Sequence, residues 1–440
     1  MYYDRINRAI QWLRQRPFIV FAILHAILLL AIFAVFDYNV GGNGLEHYIA
    51  QRIMNGDIPY QPSFPVEYPP LALLSFLLPA LVSSSLAVYS LLFALQIYLL
   101  DLVMLYILYK LAGRLNLKIW YVLGAYSLCL AAVGTLVTGH FDMVPTALVM
   151  VALYAFMNGK NKTAWAFLAL SLSVKMYPVI IAPLFALYLL RQKQYRRLVQ
   201  GIAIFAFVLL LLNLPWAIIN WDGYGNIDND KSFLGYHMAR GLHSESSYGS
   251  IILLGQTMGM TQVGAGLTYG SWNIISPLAD TLAKSSFYIT AVFLLSAYGL
   301  YARRLWQKPK DEGGGVVLNN EAIRQLLLFS LLVVLIMLLA SKVFSPQYLI
   351  WICPLIPLVM ERKLYDLLIL FLVAAGISQY IYPHHYVDFE RATYGPQYGY
   401  QYLVVLLFIR NMLMLLMAVP LYVMAFRSPS LKEVTPSGTT

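Results

Sequence analysis

Long apolar runs with almost no charge are what most limit the folds open to this chain. Pro17 to Phe36 has no charged residue and is long enough to cross a bilayer as one helix, since about 20 residues suffice. Comparable runs recur along the whole sequence, and they are continuous, not alternating, which selects helices over a barrel. Of all residues 60% are hydrophobic and only 11% charged, whereas soluble domains carry roughly 25% charged residues. The expected fold is all-α: a polytopic transmembrane bundle forming one domain over 1–440. About twelve spans are expected, near 17–36, 84–109, 119–137, 143–158, 164–176, 177–190, 198–217, 285–302, 325–341, 348–360, 365–381 and 402–426. Several are too short for a full crossing. The pair meeting at Lys175-Met-Tyr-Pro178 reads as two half-length helices broken by proline, and 71–82 as a short helix on or dipping into the membrane.

The formal charge of +10 raises nucleic acid as a partner, but the basic residues come in small clusters between apolar runs, as topology signals do, so none is expected. Arg5, Arg8, Arg14, Arg16, the clusters in alternate loops, including the 303–324 loop, and the C-terminal Arg427 and Lys432 make up 22 of the 30 basic residues. By the positive-inside rule both termini are cytoplasmic. The opposite face then holds a first loop, 37–83, a long segment, 218–284, and the shorter connections 138–142, 342–347 and 382–401. Pro17–Phe36 is longer than the apolar core of a cleavable signal, so it is expected to remain as a span. Cys129 and Cys353 both lie in apolar runs, which argues against a disulfide framework.

Ionisable groups at membrane depth are costly, so the polar residues that border the spans are where chemistry is sought. The first outer loop carries Asp37, Glu46, Asp57 and Glu67, with a Gly-Gly-Asn-Gly bend between the first two. A carboxylate there either acts as a general base toward an attacking hydroxyl or is a solvated loop acid near a helix start. Asp37 and Glu46, which flank the bend, are the candidate bases. In Thr138-Gly-His-Phe-Asp142, Asp142 is placed to cap the next helix and, without excluding that, to position substrate or an acid with His140 beside it. Lys175 either snorkels or supplies a cation for phosphate. Arg410, beside Asn411 in the last span, is too deep for easy snorkelling; it grips a phosphate with its planar fork or pairs with a buried acid.

In Phe344-Ser-Pro-Gln-Tyr348, Gln347 can hydrogen-bond sugar hydroxyls and Tyr348 can stack on a sugar ring or anchor at the interface. The aromatic stretch at 383–402 suits a carbohydrate cleft, and its His384, His385, Asp388 and Glu390 are an alternative divalent-metal site. Asp101, in the inner half of its span, reads as a structural hydrogen-bonding group.

Taken together, Gly56-Asp-Ile-Pro-Tyr60, Glu67-Tyr-Pro-Pro70, Gly139-His-Phe-Asp142, Ser173-Val-Lys-Met-Tyr-Pro178 and Phe344-Ser-Pro-Gln-Tyr348 resemble the GT-C glycosyltransferases. The nearest likeness is to the family 87 type of polyprenol-phosphate-mannose-dependent mannosyltransferase, over roughly 17–360. That resemblance implies an enzyme whose first outer loop supplies a catalytic Asp. It moves a hexose from a polyprenyl-phosphate donor to a lipid or glycan acceptor at the outer face of the cell envelope, inverting the anomeric centre. The donor leaves as a monophosphate, so no metal cofactor is obligatory, and membrane lipids surround the enzyme. Where similar proteins carry the Asp, a few residues before the match to Tyr48, this chain has Gly42, Asn43 and Gly44, leaving Asp37 or Glu46 for the task. A lipid-linked-sugar flippase and a non-catalytic sugar-lipid-binding partner are the alternatives.

Overall fold

The computed structural model describes residues 11–35, 42–307, 317–360 and 365–426. Asp37, one of the two candidate bases, lies outside them. Among the described residues seven helices are long and apolar enough to cross a membrane: α1 (Pro17–Val35), α4 (Leu86–Arg114), α9 (Tyr195–Ile219), α11 (Pro277–Gln307), α12 (Asn320–Ala340), α13 (Tyr365–Gln379, carried on to His384 by a π turn) and α14 (Gln401–Phe426). Between them come the shorter α2 (Gly44–Met54), α3 (Pro70–Ala80), α5 (Ile119–Val133), α6 (Met143–Met157), α7 (Asn161–Leu172), α8 (Ala182–Arg191) and α10 (Ser247–Thr257). This is an all-α membrane protein.

The pattern of each helix decides its place. The sequence Leu326 to Leu339 is apolar on every side apart from Ser330, and a helix with no polar face must be enclosed. Accordingly α12 is the central helix, with Ile323, Leu326, Leu327, Phe329, Leu331, Leu332, Val333 and Leu335 fully buried. In α9 the apolar surface instead points outward, with Phe207, Leu210, Leu211 and Ile218 exposed, as befits a helix facing lipid. A polar knot inside the membrane fastens α1 to its neighbours. His25 bonds Asp101 of α4 through Nδ1 at 2.6 Å and Ser127 of α5 through Nε2 at 2.7 Å, and the Tyr126 hydroxyl donates to Asp101 at 2.7 Å. Asp101 therefore has the structural role expected of it.

Proline explains where helices fail. After α7 ends, a 3₁₀ turn at Tyr177–Ile181 leads into α8, since Pro178 and Pro183 have no N–H to continue an α-helical ladder. The expected span at 348–360 is not one helix. Pro354 and Pro357 divide it between a 3₁₀ segment opened by Pro346 (Pro346–Trp351) and one helical turn (Ile356–Val359), which the surrounding helices enclose. Nor is the long segment 218–284 wholly helical: it contains a small antiparallel sheet ordered β1 (Leu242–His243), β3 (Ser271–Ile275), β2 (Gly264–Thr268). Thr268 pairs with Ser271, so Tyr269-Gly270 forms a two-residue turn with both φ positive, at 48° and 61°.

Candidate active site

The loops at one end of the bundle interlock. The Leu71 N–H donates to the Ser173 carbonyl, His243 N–H to that of Lys342, and Ser244 N–H to that of Trp272. Three polar clusters lie within this network.

The first contains Glu46, in the opening turn of α2. That turn is fixed to α4: Asn43 Oδ1 accepts from Ser90 Oγ at 2.8 Å, His47 Nε2 donates to the Ser84 carbonyl, and the His47 ring packs edge-on to Tyr89. Asn43 thus spends its side chain on α4 and makes no cap bond. Glu46 is only 2% exposed, with Oε1 3.8 Å from His140 Nδ1, beyond hydrogen-bond length. No hydrogen bond among the described residues engages its carboxylate, and the buried Nε2 of His140 has no partner either. Burial, with the nearby charges of Glu67 and Glu46, pushes the Tyr68 hydroxyl well above its ordinary pKa.

The turn that carries His140 starts at Gly134, whose φ of 59° and ψ of −126° end α5. Gln379 of α13 reaches in there, donating to the Val133 carbonyl and accepting from the Thr135 hydroxyl.

In the second cluster Asp142 departs from the capping alternative. It stands at the start of α6 but makes no side-chain cap bond. Its Oδ1 instead accepts from Lys175 Nζ at 2.6 Å and from Trp351 Nε1 at 2.7 Å, while the buried Oδ2 has no partner among the described residues. Tyr348, Trp351 and Tyr177 form a stack with ring centroids 4.2 and 3.9 Å apart. Lys175 Nζ lies 4.7 Å from the Tyr348 ring, 4.8 Å from Phe141 and 5.5 Å from Trp351, a cation held by rings and a carboxylate together. Its charge is already matched by Asp142. Gln347, next to Tyr348 on the 3₁₀ turn, is half-buried.

The third cluster is Arg410, paired with an acid that sequence reasoning passed over. The Arg410 side chain is 1% exposed, its guanidinium 4.2 Å from the Phe344 ring, and Nη2 donates to the Glu245 backbone carbonyl at 3.2 Å and to Oε2 at 3.4 Å. Asn411 donates to the carbonyls of Glu245 and Ser246. Burial, opposed by Arg410, raises Glu245 to about 7. His243, whose Nε2 is 3.9 Å from Glu245 Oε1, is lowered to about 3 by burial and by Arg240 and Arg410.

Tyr382 borders the first cluster. Its ring is 6.3 Å from that of His140 and 4.9 Å from Tyr386. Glu46 with His140, Asp142 with Lys175 and Tyr348, and Arg410 with Glu245 are thus each brought together. His384, His385, Asp388 and Glu390 do not gather: His385 turns to the Tyr380 carbonyl and Asp388 to Arg391. Among the described residues no group of three or more His, Cys, Asp or Glu is set to hold a metal.

The residues missed were Glu245, Trp351 and Tyr382. Only the first left a signal, an acid within Ser244-Glu-Ser-Ser247 at the start of a helix.

No curated protein matches the chain. The family model for glycosyltransferase family 87 matches residues 66–341, a stretch that holds Asp142, Lys175 and Glu245. Since the match extends over more than half of its length, the chain belongs to glycosyltransferase family 87 and is a membrane glycosyltransferase.

Proposed function

We propose that this chain is a GT-C-type inverting hexosyltransferase. It moves a hexose, mannose first among candidates, from a polyprenyl-phosphate donor to a hydroxyl of a lipid or glycan acceptor. Both termini are cytoplasmic in this reading, and the three clusters face the other side of a cell membrane. The observation that carries it is the buried Glu46, held by the α2–α4 contacts beside His140 with its carboxylate unspent. A base must reach the proton it removes, and a largely buried carboxylate that no hydrogen bond among the described residues engages is placed to accept one.

In the reaction Glu46 takes the proton of the acceptor hydroxyl as the oxygen bonds to the anomeric carbon. The bond from that carbon to the phosphate oxygen breaks, and the phosphodiester monoanion leaves as a polyprenyl monophosphate dianion. Arg410, beside the incoming phosphate, meets that added charge; preorganised cations help most where charge develops. Tyr348, at the end of its stack, offers a ring face to a sugar, and Gln347 a hydrogen-bonding amide. Asp142 and Lys175 hold this platform in place. No step requires a metal.

The test is transfer from radiolabelled polyprenyl-phosphoryl-mannose by protein in lipid, with a host lipid and glycan extract as acceptor. Product formation that disappears in Glu46→Gln supports the reading. A Glu46→Gln protein as active as wild type removes Glu46 as base and makes Asp37→Asn the next variant.

A further inference from the structure

Arg410 is buried with its hydrogen bonding half made. Only Nη2 meets Glu245, through one 3.4 Å side-chain contact and one to the backbone, where a matched guanidinium and carboxylate form two short parallel bonds. Among the described residues Nε and Nη1 have no partner, and Asn411 Oδ1, Ser244 Oγ and Ser247 Oγ around the same turn have none. Buried charged donors are rarely left without acceptors, so this set marks a place where a ligand supplies them. Donors on a guanidinium together with hydroxyls and an amide oxygen fit a phosphate that carries a hydroxyl-rich group.

The acid beside this set is equally unusual. Glu245 is enclosed, and the groups facing it are Arg410, His243, Tyr382 and Tyr386. His243 donates Nδ1–H to the Phe344 carbonyl and is neutral above about pH 3, so it adds no charge change near neutrality. A phosphate oxygen on the free Nη1 hydrogens of Arg410, beside the Nη2 that meets Glu245, would put a second anion against Glu245 where little water can screen it. Two such anions resist ionising together.

We propose that Glu245 is a proton-accepting placeholder for substrate phosphate: it shares Arg410 before the donor binds, and takes up one proton from solvent when the phosphate docks on that arginine. No other bond is made or broken in this step. The proposal rests on the phosphate reading of Arg410 given above. That Glu245 titrates near 7 makes the uptake cheap at neutral pH.

The test uses the full chain in nanodiscs and a short-chain polyprenyl-phosphoryl-mannose. The phosphodiester of this probe keeps one fixed charge from about pH 5.5 to about pH 9, so any proton linkage belongs to the protein. In wild type, affinity should weaken by up to about tenfold per pH unit above about pH 7 and be level below it. In Glu245→Gln it should be level throughout. An indicator dye should report up to one proton taken up per ligand bound in wild type at pH 8, a readout that needs no variant. Arg410→Lys should weaken binding at every pH. Wild-type affinity as level as that of Glu245→Gln, with Arg410→Lys still impaired, overturns the proton step and leaves the phosphate site standing. Arg410→Lys binding as tightly as wild type overturns the phosphate reading, and the proposal with it.

Discussion

Replacing Lys175 with Met distinguishes two roles for one cation. The substitution keeps an unbranched side chain of similar length on the three rings but removes the charge. Asp142, 1% exposed, would retain only its bond from Trp351 and become a buried carboxylate without a countercharge. Breaking a buried pair from one side costs about 3–5 kcal/mol. Lys175 is 15% exposed, which admits some water and favours the lower end of that range. At about 2 °C per kcal/mol for a large chain, the melting temperature in detergent should fall by about 6 °C or more. The double variant Asp142→Asn/Lys175→Met, where the Asn oxygen can still accept from Trp351, should recover most of the loss, because neither charge remains unpaired. A Lys175→Met protein that melts within about 1 °C of wild type yet binds donor much more weakly would refute this. Lys175 would then serve phosphate directly, as one reading of the sequence has it.

Three further outcomes follow from the same reasoning. Asp101→Ala leaves His25 and Tyr126 facing a gap inside the membrane and should cost a comparable amount, about 3 kcal/mol, lowering the thermal midpoint by about 6 °C without changing the donor affinity of the protein that remains folded. Glu245 has its pKa raised in the fold to about 7 from an ordinary 4.5, so the stability it contributes is complete below pH 4.5 and lost as pH rises through 7. Thermal midpoints taken from pH 5 to pH 8 should therefore fall in wild type, by at most about 6 °C for a loss of at most about 3 kcal/mol, and change less in Glu245→Gln. Gly134→Ala puts a Cβ 2.7 Å from Gln379 Oε1 at a positive φ that side chains rarely adopt; a loss of about 1–3 kcal/mol and reduced transfer should follow, since the His140 turn begins there.

Much of the fold could be read from the sequence because lipid enforces a simple rule. A run such as Leu86 to Tyr109 must be helical, and the apolar circumference of α12 marks it as the centre. The proline-broken pair at Lys175 was legible for the same reason, through the missing N–H of Pro178. The segment 348–360 misled because composition reports apolarity, whereas its two prolines decide continuity. The hairpin at 264–275 went unnoticed because its Tyr269-Gly270 turn is embedded in a Gly-rich stretch without strict alternation.

At the site, acids beside helix starts could be located, but their partners could not. Asp142 meets Trp351 from 209 positions away, and Arg410 meets Glu245 from 165 positions away. Such pairings depend on how helices assemble, which local pattern does not encode. Capping was a sound expectation for Asp142 from its position, and it was displaced because an ammonium and an indole N–H are better partners for a buried carboxylate than backbone amides alone.

The central claim is that this family 87 member transfers sugar with Glu46 as its base. The direct measurement is kcat/KM for transfer from polyprenyl-phosphoryl-mannose in wild type and Glu46→Gln, with the melting temperature followed in parallel. A general base contributes about 10²–10⁴-fold, so the account predicts a loss of that size at unchanged donor affinity and melting temperature. Transfer by Glu46→Gln within a few-fold of wild type, from a protein equally well folded, would contradict it.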